Sequence, residues 1–185
     1  MTLPTKLDPA RALLVLVDVQ ERLCPAMPPA DLARLVKYAQ ALLGGARELG
    51  IPILATEQYP KGLGPTLPGL RELVPGPPLA KLHFSCAADP GFAAALQASG
   101  RRQIVIAGME THVCVFQTAR DLVAAGYEVQ VCADAVASRT EEHRRVGLEL
   151  CRAAGALVTT AETALFDLMG QCGTPAFKKV SAMVK

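Results

Sequence analysis

Short apolar runs alternate with helical patterns along most of the chain. Residues 12–17 are apolar at every position, which is typical of a strand buried on both faces of a parallel sheet. Residues 31–49 instead place apolar side chains at the three- and four-residue spacing of a helix. Further strands are predicted at 51–55, 79–84, 103–107, 128–133 and 156–159, and further helices at 89–98, 111–125, 141–154, 162–169 and 175–184.

This alternation predicts an α/β fold, a three-layer α/β/α sandwich around a Rossmann-like, six-stranded, mainly parallel sheet. We expect one domain spanning residues 1–185. Asp31 is the predicted N-cap of the first helix, Gly50 its end and Asp89 the N-cap of the next. Residues 60–78 are rich in proline and glycine and predict a long loop. A loop of this kind is equally consistent with a functional segment and with a structural one, either a rigid surface loop or an oligomer contact.

Composition narrows the class of protein. Apolar residues make up 51% of the 185, which excludes a disordered chain. Lys and Arg number 19 against 17 Asp and Glu, so the net charge of +2 argues against a polybasic nucleic-acid or membrane-surface binder. Aromatic residues are only 4% and tryptophan is absent, which disfavours a single-strand binder built on base stacking.

The chain contains six cysteines, none of them in a CxxC pair or at zinc-ligand spacing with histidine. Disulfide frameworks belong to small secreted domains that lack a core, whereas this chain is rich in core-forming residues. Residues 1–9 carry no signal-peptide pattern, and the apolar run at 12–17 is too short to span a membrane. We therefore expect a cytoplasmic protein with reduced thiols.

Candidate chemistry lies where the predicted strands end, because ligands of open parallel sheets bind at the carboxyl ends of the strands. Asp18 ends the first strand, Lys81 lies in the third, and Cys114 follows the fourth in the first turn of a helix. The helix terminus and a nearby ammonium predict a lowered pKa for Cys114. Asp18 would accept the thiol proton, and the N–H groups of Glu110 and Cys114 would hold an oxyanion.

Each of these residues also has a structural interpretation. A cysteine at such a place is often a small core side chain, an aspartate is often a turn residue, and a lysine near a strand end can extend to solvent. The presence of an aspartate, a lysine and a cysteine together at the strand ends favours a catalytic role. Four further residues are candidates for substrate binding, although each is also compatible with a purely structural role: Gln58, Tyr59, Phe84 and His112.

Several segments resemble the isochorismatase-like cysteine hydrolase family, which contains nicotinamidases, N-carbamoylsarcosine amidohydrolases and isochorismatases. They are ALLVLVDVQ (12–20), AKLHFS (80–85), GMETHVCVFQTARDLVAAGYEV (108–129) and ADAVASRT (133–140). TEQYPKGLGPT (56–66) is similar to the isochorismatase domain-containing proteins within it. The resemblance implies an Asp–Lys–Cys triad on Asp18, Lys81 and Cys114, oxyanion donors at the N–H groups of Glu110 and Cys114, and a non-proline cis peptide at Met109–Glu110.

The chain departs from the nicotinamidase pattern after the second strand. Nicotinamidases bind a divalent metal through an Asp-x-His pair and a later histidine, but residues 56–60 read TEQYP. We therefore predict no catalytic metal and no cofactor. The resemblance also implies a homo-oligomer, a dimer or tetramer, that binds a small-molecule substrate.

The predicted function is hydrolysis of a small amide or carbamoyl-type substrate by the Cys–Asp–Lys triad through a thioester. Two alternatives stay open at this point. One is an isochorismatase-type vinyl-ether hydrolase in which Asp18 is the acid, and the other is a non-catalytic interaction or redox-sensing relative. A nucleotide-binding Rossmann protein is disfavoured because no strand is followed by a glycine fingerprint.

Overall fold

The computed structural model describes residues 6–185. Residues 1–5, part of the segment predicted to carry no signal peptide, lie outside this range. Six strands form one sheet in the order β3-β2-β1-β4-β5-β6, and every neighbouring pair is parallel. The strands are β1 Ala12–Val17, β2 Ile53–Gln58, β3 Leu79–Lys81, β4 Gln103–Met109, β5 Glu128–Ala137 and β6 Leu157–Thr159. The predicted six-stranded α/β architecture is confirmed.

Helices cover both faces of the sheet. They are α1 Pro29–Glu48, α2 Pro60–Leu63, α3 Pro68–Arg71, α4 Pro90–Ser99, α5 Phe116–Ala124, α6 Glu141–Ala153, α7 Ala161–Met169 and α8 Pro175–Met183. Alternate residues of β1 face opposite layers. Leu14 and Leu16 pack with α1 and α7, while Leu13, Val15 and Val17 pack with α4, α5 and α6. This two-sided burial explains why β1 is apolar at every position.

Most predicted helix ends are confirmed. The Asp89 carboxylate accepts hydrogen bonds from the N–H groups of Gly91 and Phe92 and so caps α4. Gly50 follows Leu49, the C-cap of α1, with a φ of +66°, a conformation that glycine adopts without steric cost. The predicted N-cap at Asp31 is wrong. The helix α1 begins two residues earlier, at Pro29, and Asp31 lies in its first turn.

The prediction of one continuous long loop at 60–78 is wrong. The segment contains α2 and α3, and each begins with a proline at its first position, where the missing N–H costs no hydrogen bond. An isolated antiparallel bridge between Gln20 and Thr66 attaches the segment to the residues that follow β1. The carboxyl end of the sheet is therefore bordered by an ordered structure.

All six cysteines lie among the described residues, and all are free thiols. Five are buried, and Cys172 is exposed. Within residues 6–185, no helix is long and apolar enough to cross a bilayer.

Candidate active site

Asp18 and Lys81 form a buried ion pair at the carboxyl ends of β1 and β3. Lys81 Nζ donates to Asp18 Oδ2 over 2.7 Å, and the two side chains are 0% and 1% exposed. The other carboxylate oxygen, Oδ1, accepts a hydrogen bond of 2.8 Å from the hydroxyl of Thr56 on β2. Asp18 has a φ of +50°, which is uncommon for any residue other than glycine. Both carboxylate oxygens are thus held from neighbouring strands.

The ammonium of Lys81 is surrounded by oxygen atoms. Besides Asp18, it donates to Gln58 Oε1 at 2.7 Å and to the carbonyls of His83 and Phe84 at 3.2 Å each. Burial lowers the pKa of Lys81, but the charge of the Asp18 carboxylate, and those of Cys86 and Cys114 when they are ionised, outweigh it, so the pKa lies above its ordinary value. The interpretation in which Lys81 extends to solvent is wrong.

The hydrogen bonds around Lys81 also explain why β3 is shorter than predicted. We expected β3 to continue to residue 84, yet it ends at Lys81. The carbonyls of His83 and Phe84 turn back towards Nζ of Lys81 and therefore leave the ladder.

The side chain of Gln20 binds the backbone of Gln58, whose side chain contacts Lys81. The amide of Gln20 is fully buried, accepts from the N–H of Gln58 at 2.8 Å and donates to the carbonyl of Gln58 at 3.0 Å. It also donates to the carbonyl of Gly64 at 2.7 Å. The side chain of Gln58 in turn bridges Lys81 and the carbonyl of Leu82. The amide of Gln58, which we predicted to bind substrate, thus makes two contacts within the protein.

The candidate nucleophile follows β4. The Met109–Glu110 peptide bond is cis, as the family resemblance implied. Residues Thr111–Val115 then form a π-helical turn that contains Cys114 and leads into α5. The predicted helix at 111–125 is therefore π-helical over its first five residues. The N–H groups of Val113 and Val115 both donate to the carbonyl of Glu110.

Two glycines allow close packing around this turn. A Cβ on Gly108 (φ +124°) would overlap the carbonyl oxygen of Val17 on the neighbouring strand. A Cβ on Gly147 of α6 would lie 2.7 Å from the backbone nitrogen of His112. The position of the nucleophile turn thus depends on the absence of two side chains.

The predicted lowering of the pKa of Cys114 is wrong. Burial raises the pKa of this thiol far above its ordinary value, and the negative charge of Asp18 and a hydrogen bond to it act in the same direction. Lys81 lowers it, but the effect is smaller. In the resting site Cys114 is therefore a thiol beside a carboxylate, and it needs a local base to become a nucleophile.

The other predicted substrate-binding residues lie at the rim. Tyr59 and Phe84 are 51% and 55% exposed, and Leu82 beside them is 73% exposed. His112 Nδ1 lies 3.1 Å from Ser138 Oγ, and its ring stacks on that of His143 with centroids 4.4 Å apart. Burial, followed by the charges of His143 and Arg139, lowers the pKa of His112, although Glu110 opposes them.

One surface pocket of about 210 Å³ adjoins the site without covering it. It is lined by Ala80, Lys81, Leu82, His83 and Asp89, on the outer side of β3. Asp18 and Cys114 do not line it, so it reaches the buried side chains only at Lys81. Within residues 6–185, no three His, Cys, Asp or Glu side chains are grouped as metal ligands.

Sequence reasoning missed two residues of the site, Thr56 and Gln20. Thr56 is the first polar residue of β2 and pairs with Val17, the neighbour of Asp18, across the β1–β2 ladder. A strand register deduced from the sequence would have placed its hydroxyl beside Asp18. Gln20 follows Asp18 by two residues, and only the folded structure shows that it binds the backbone of Gln58 and Gly64.

Comparison with known proteins identifies the family of the chain. The profile of the Isochorismatase domain matches residues 12–163. The chain belongs to the isochorismatase family. It is 39% identical over 190 residues to the isochorismatase domain-containing protein 1 of Salmo salar, a match that covers 100% of this chain and 65% of the relative. The chain thus spans slightly less than two thirds of that protein.

Solved structures of the isochorismatase-like fold agree with this family assignment. The MAR1 ribonuclease of Caenorhabditis elegans has a TM-score of 0.90 and 34% identity, covering 97% of this chain and 92% of that one. The YcaC gene product of Escherichia coli, described as an octameric hydrolase of unknown specificity, has a TM-score of 0.88. It is 25% identical and matches 99% of this chain and 92% of its own.

Proposed function

We propose that this isochorismatase-family protein is a cysteine hydrolase that acts on a small amide or carbamoyl-type substrate. One observation carries the proposal: the Cys114 thiol lies close enough to the Asp18 carboxylate for that charge to raise the pKa of the thiol, and the same carboxylate is buried in an ion pair with Lys81. A nucleophile, a base within its reach and a group that orients the base are the parts that covalent catalysis by a thiol needs. Family membership supports the hydrolase class.

The first half of the reaction forms a thioester. Asp18 takes the proton of Cys114 as the sulfur attacks the carbonyl carbon, and the carbonyl electron pair moves onto the oxygen. The N–H groups of Glu110 and Cys114 hold that oxyanion. Asp18 then passes the proton to the leaving nitrogen as the C–N bond breaks. Lys81 keeps the carboxylate in place and compensates its charge throughout.

The second half releases the acid. Water attacks the thioester carbon and loses a proton to Asp18, and the C–S bond then breaks. The sulfur recovers the proton from Asp18, which restores the starting thiol and carboxylate. Because Cys114 begins and ends as a thiol, its raised pKa fits this cycle. Tyr59, Phe84 and His112, at the rim of the site, are the proposed contacts of the substrate.

We also propose that the protein is a homo-oligomer. The Escherichia coli relative is described as octameric, and Tyr59, Leu82 and Phe84 expose apolar surface beside the site. Light scattering coupled to size exclusion should give a mass that is a multiple of 19.5 kDa. A monomer at micromolar concentration would contradict this part of the proposal.

Turnover of an amide and carbamoyl panel tests the chemistry. Cys114→Ala and Asp18→Asn should each lose at least about a thousandfold in kcat, as expected when a group of a covalent triad is removed. Cys172→Ala is the matched control, because Cys172 is an exposed thiol outside the site. Full activity of Cys114→Ala would overturn the thiol mechanism. Loss of activity in Asp18→Asn but not in Cys114→Ala would support the vinyl-ether alternative. No turnover of any panel member by the wild type would contradict the proposed substrate class.

A further inference from the structure

We propose that Thr56 and Cys86 are positioning residues that hold the Asp18 carboxylate as the proton acceptor of the site, an inference that rests on the proposed function. Neither residue belongs to the Asp–Lys–Cys set. Both are buried, at 1% and 0% exposure, and neither is reached by solvent from the rim.

The direction of the hydrogen bonds follows from the number of protons. Thr56 Oγ1 lies 2.8 Å from Asp18 Oδ1, and because a carboxylate only accepts, the hydroxyl donates. Thr56 Oγ1 also lies 3.6 Å from Cys86 Sγ. Since Thr56 has one proton and gives it to Asp18, the S–H of Cys86 must donate to Thr56. The result is a one-way chain of donors from Cys86 through Thr56 to Asp18.

The second thiol is suited to this role because it stays protonated. Burial raises the pKa of Cys86 to about 11, and the Asp18 charge adds to the shift. Its backbone N–H donates to Thr118 Oγ1 at 2.9 Å, which anchors Cys86 to α5, the helix that follows the nucleophile. The chain of donors is thereby tied to the helix that directly follows the turn with Cys114.

The charged and titratable groups facing Asp18 are Lys81 from β3, Cys86 from the turn after it, and Cys114 from the π-helical turn. Lys81 occupies Oδ2, and the Thr56 hydroxyl occupies Oδ1. A donor to a carboxylate favours its charged form. With Thr56 in place, both oxygens of the Asp18 carboxylate have a donor and the charged form that accepts the Cys114 proton is favoured; without Thr56, Oδ1 loses its donor and the charged form is favoured less.

The test uses alkylation of Cys114 by iodoacetamide, followed on the Cys114 peptide by mass spectrometry from pH 4 to 9, so it needs no substrate. In the wild type, the rate of Cys114 alkylation should rise with pH in the acid range as the base becomes available. This rising part of the pH profile is called the acidic limb. Thr56→Val should move this limb to higher pH by about one unit, as expected for the loss of one hydrogen bond to a charged group. Thr56→Ser should restore it, and Cys86→Ala should move it less than Thr56→Val does.

Thr66→Val is the matched control. Thr66 is also buried, and its hydroxyl also donates to a carboxylate oxygen at 2.8 Å, but that carboxylate belongs to Glu57. Thr66→Val should therefore leave the acidic limb at the same pH as in the wild type. An unmoved limb in Thr56→Val, or an equal shift in Thr66→Val, would overturn the inference.

Asp18→Asn separates this inference from the proposed function. It should abolish the acidic limb, because the limb reports the base. If the limb persists in Asp18→Asn, the base assignment of the proposed function fails. If it disappears there while Thr56→Val matches the wild type, only the role of Thr56 and Cys86 fails. Thermal melting of each variant confirms that the folded protein is compared.

Discussion

The Lys81 ammonium and the Asp18 carboxylate are joined by a 2.7 Å ion pair that is almost completely shielded from solvent. Each charge is the main compensation for the other, because a buried ion without a partner loses its hydration and gains nothing in return. The stability of the fold and the proposed catalysis therefore depend on the same two side chains.

A double-mutant cycle should measure this dependence. Lys81→Met and Asp18→Asn should each lower the free energy of unfolding by about 3–5 kcal/mol, because each leaves one buried charge unpaired or poorly compensated. The double variant should lose clearly less than the sum, since it buries no charge, yet stay inactive. Urea denaturation gives the three values. Additive losses would show that the two charges do not compensate each other.

The exposed pair Arg145–Glu149 provides the control for that cycle. Its side chains are 58% and 56% exposed and lie four residues apart on α6. Removing either partner should change stability little, because solvent already compensates both charges.

The apolar pattern predicted the sheet because strands buried on both faces have few other solutions. Residues 12–17 form β1, and Asp18 follows at its carboxyl end, as expected. What the pattern does not contain is the environment after folding. Burial at Cys114 outweighs the cation beside it, and this reversed the expected direction of its pKa shift.

Other differences arise from contacts distant in sequence. β3 is cut short because the carbonyls after Lys81 turn towards its ammonium, and no local propensity encodes that turn. β5 extends to Ala137 rather than residue 133 and continues past a register shift opposite β4. The π-helical turn at Thr111–Val115 does not follow the ordinary helical period.

Substituting Gly147 should displace the nucleophile turn. In Gly147→Ala the new Cβ would lie 2.7 Å from His112 N, a backbone atom that cannot move alone. We expect a loss of about 1–3 kcal/mol in stability, as for other overpacked cores, and slower alkylation of Cys114. Thermal melting and peptide mass spectrometry measure the two effects.

Gly44→Ala is the matched control on another helix. Its Cβ would contact Met183 Sδ at 2.9 Å, the flexible end of a side chain that can turn away. Because alanine is favoured over glycine inside a helix, this variant should keep or slightly raise the stability. If both variants behave alike, the close approach of α6 does not control the turn.

The buried thiols should make the fold sensitive to alkali. Burial raises the pKa of Cys24, Cys86 and Cys151 to about 11 in the folded protein, whereas an unfolded thiol titrates near ~8.5. Between these values the unfolded chain releases protons that the folded chain retains, so stability falls as the pH rises. Each thiol should contribute about 1.4 kcal/mol per pH unit in this window.

Urea denaturation at pH 7.5, 9 and 10 checks the slope. Cys151 lies on α6, and Cys151→Ala should reduce the dependence of stability on pH by the contribution of one thiol. Cys172 is exposed, and Cys172→Ala should leave this dependence unchanged. A stability that is constant from pH 8 to 10 would mean that these thiols ionise freely in the folded protein.

Acid-quenched single-turnover mass spectrometry tests the central claim most directly. Enzyme in slight excess over an amide that it turns over, quenched within milliseconds, should carry the acyl group, with a mass gain equal to the substrate minus its amine. Peptide mapping should place this group on Cys114, and Asp18→Asn should accumulate none of it. An acyl group on another residue, or full turnover with no enzyme-bound group at any time, would contradict catalysis by the Cys114 thiol.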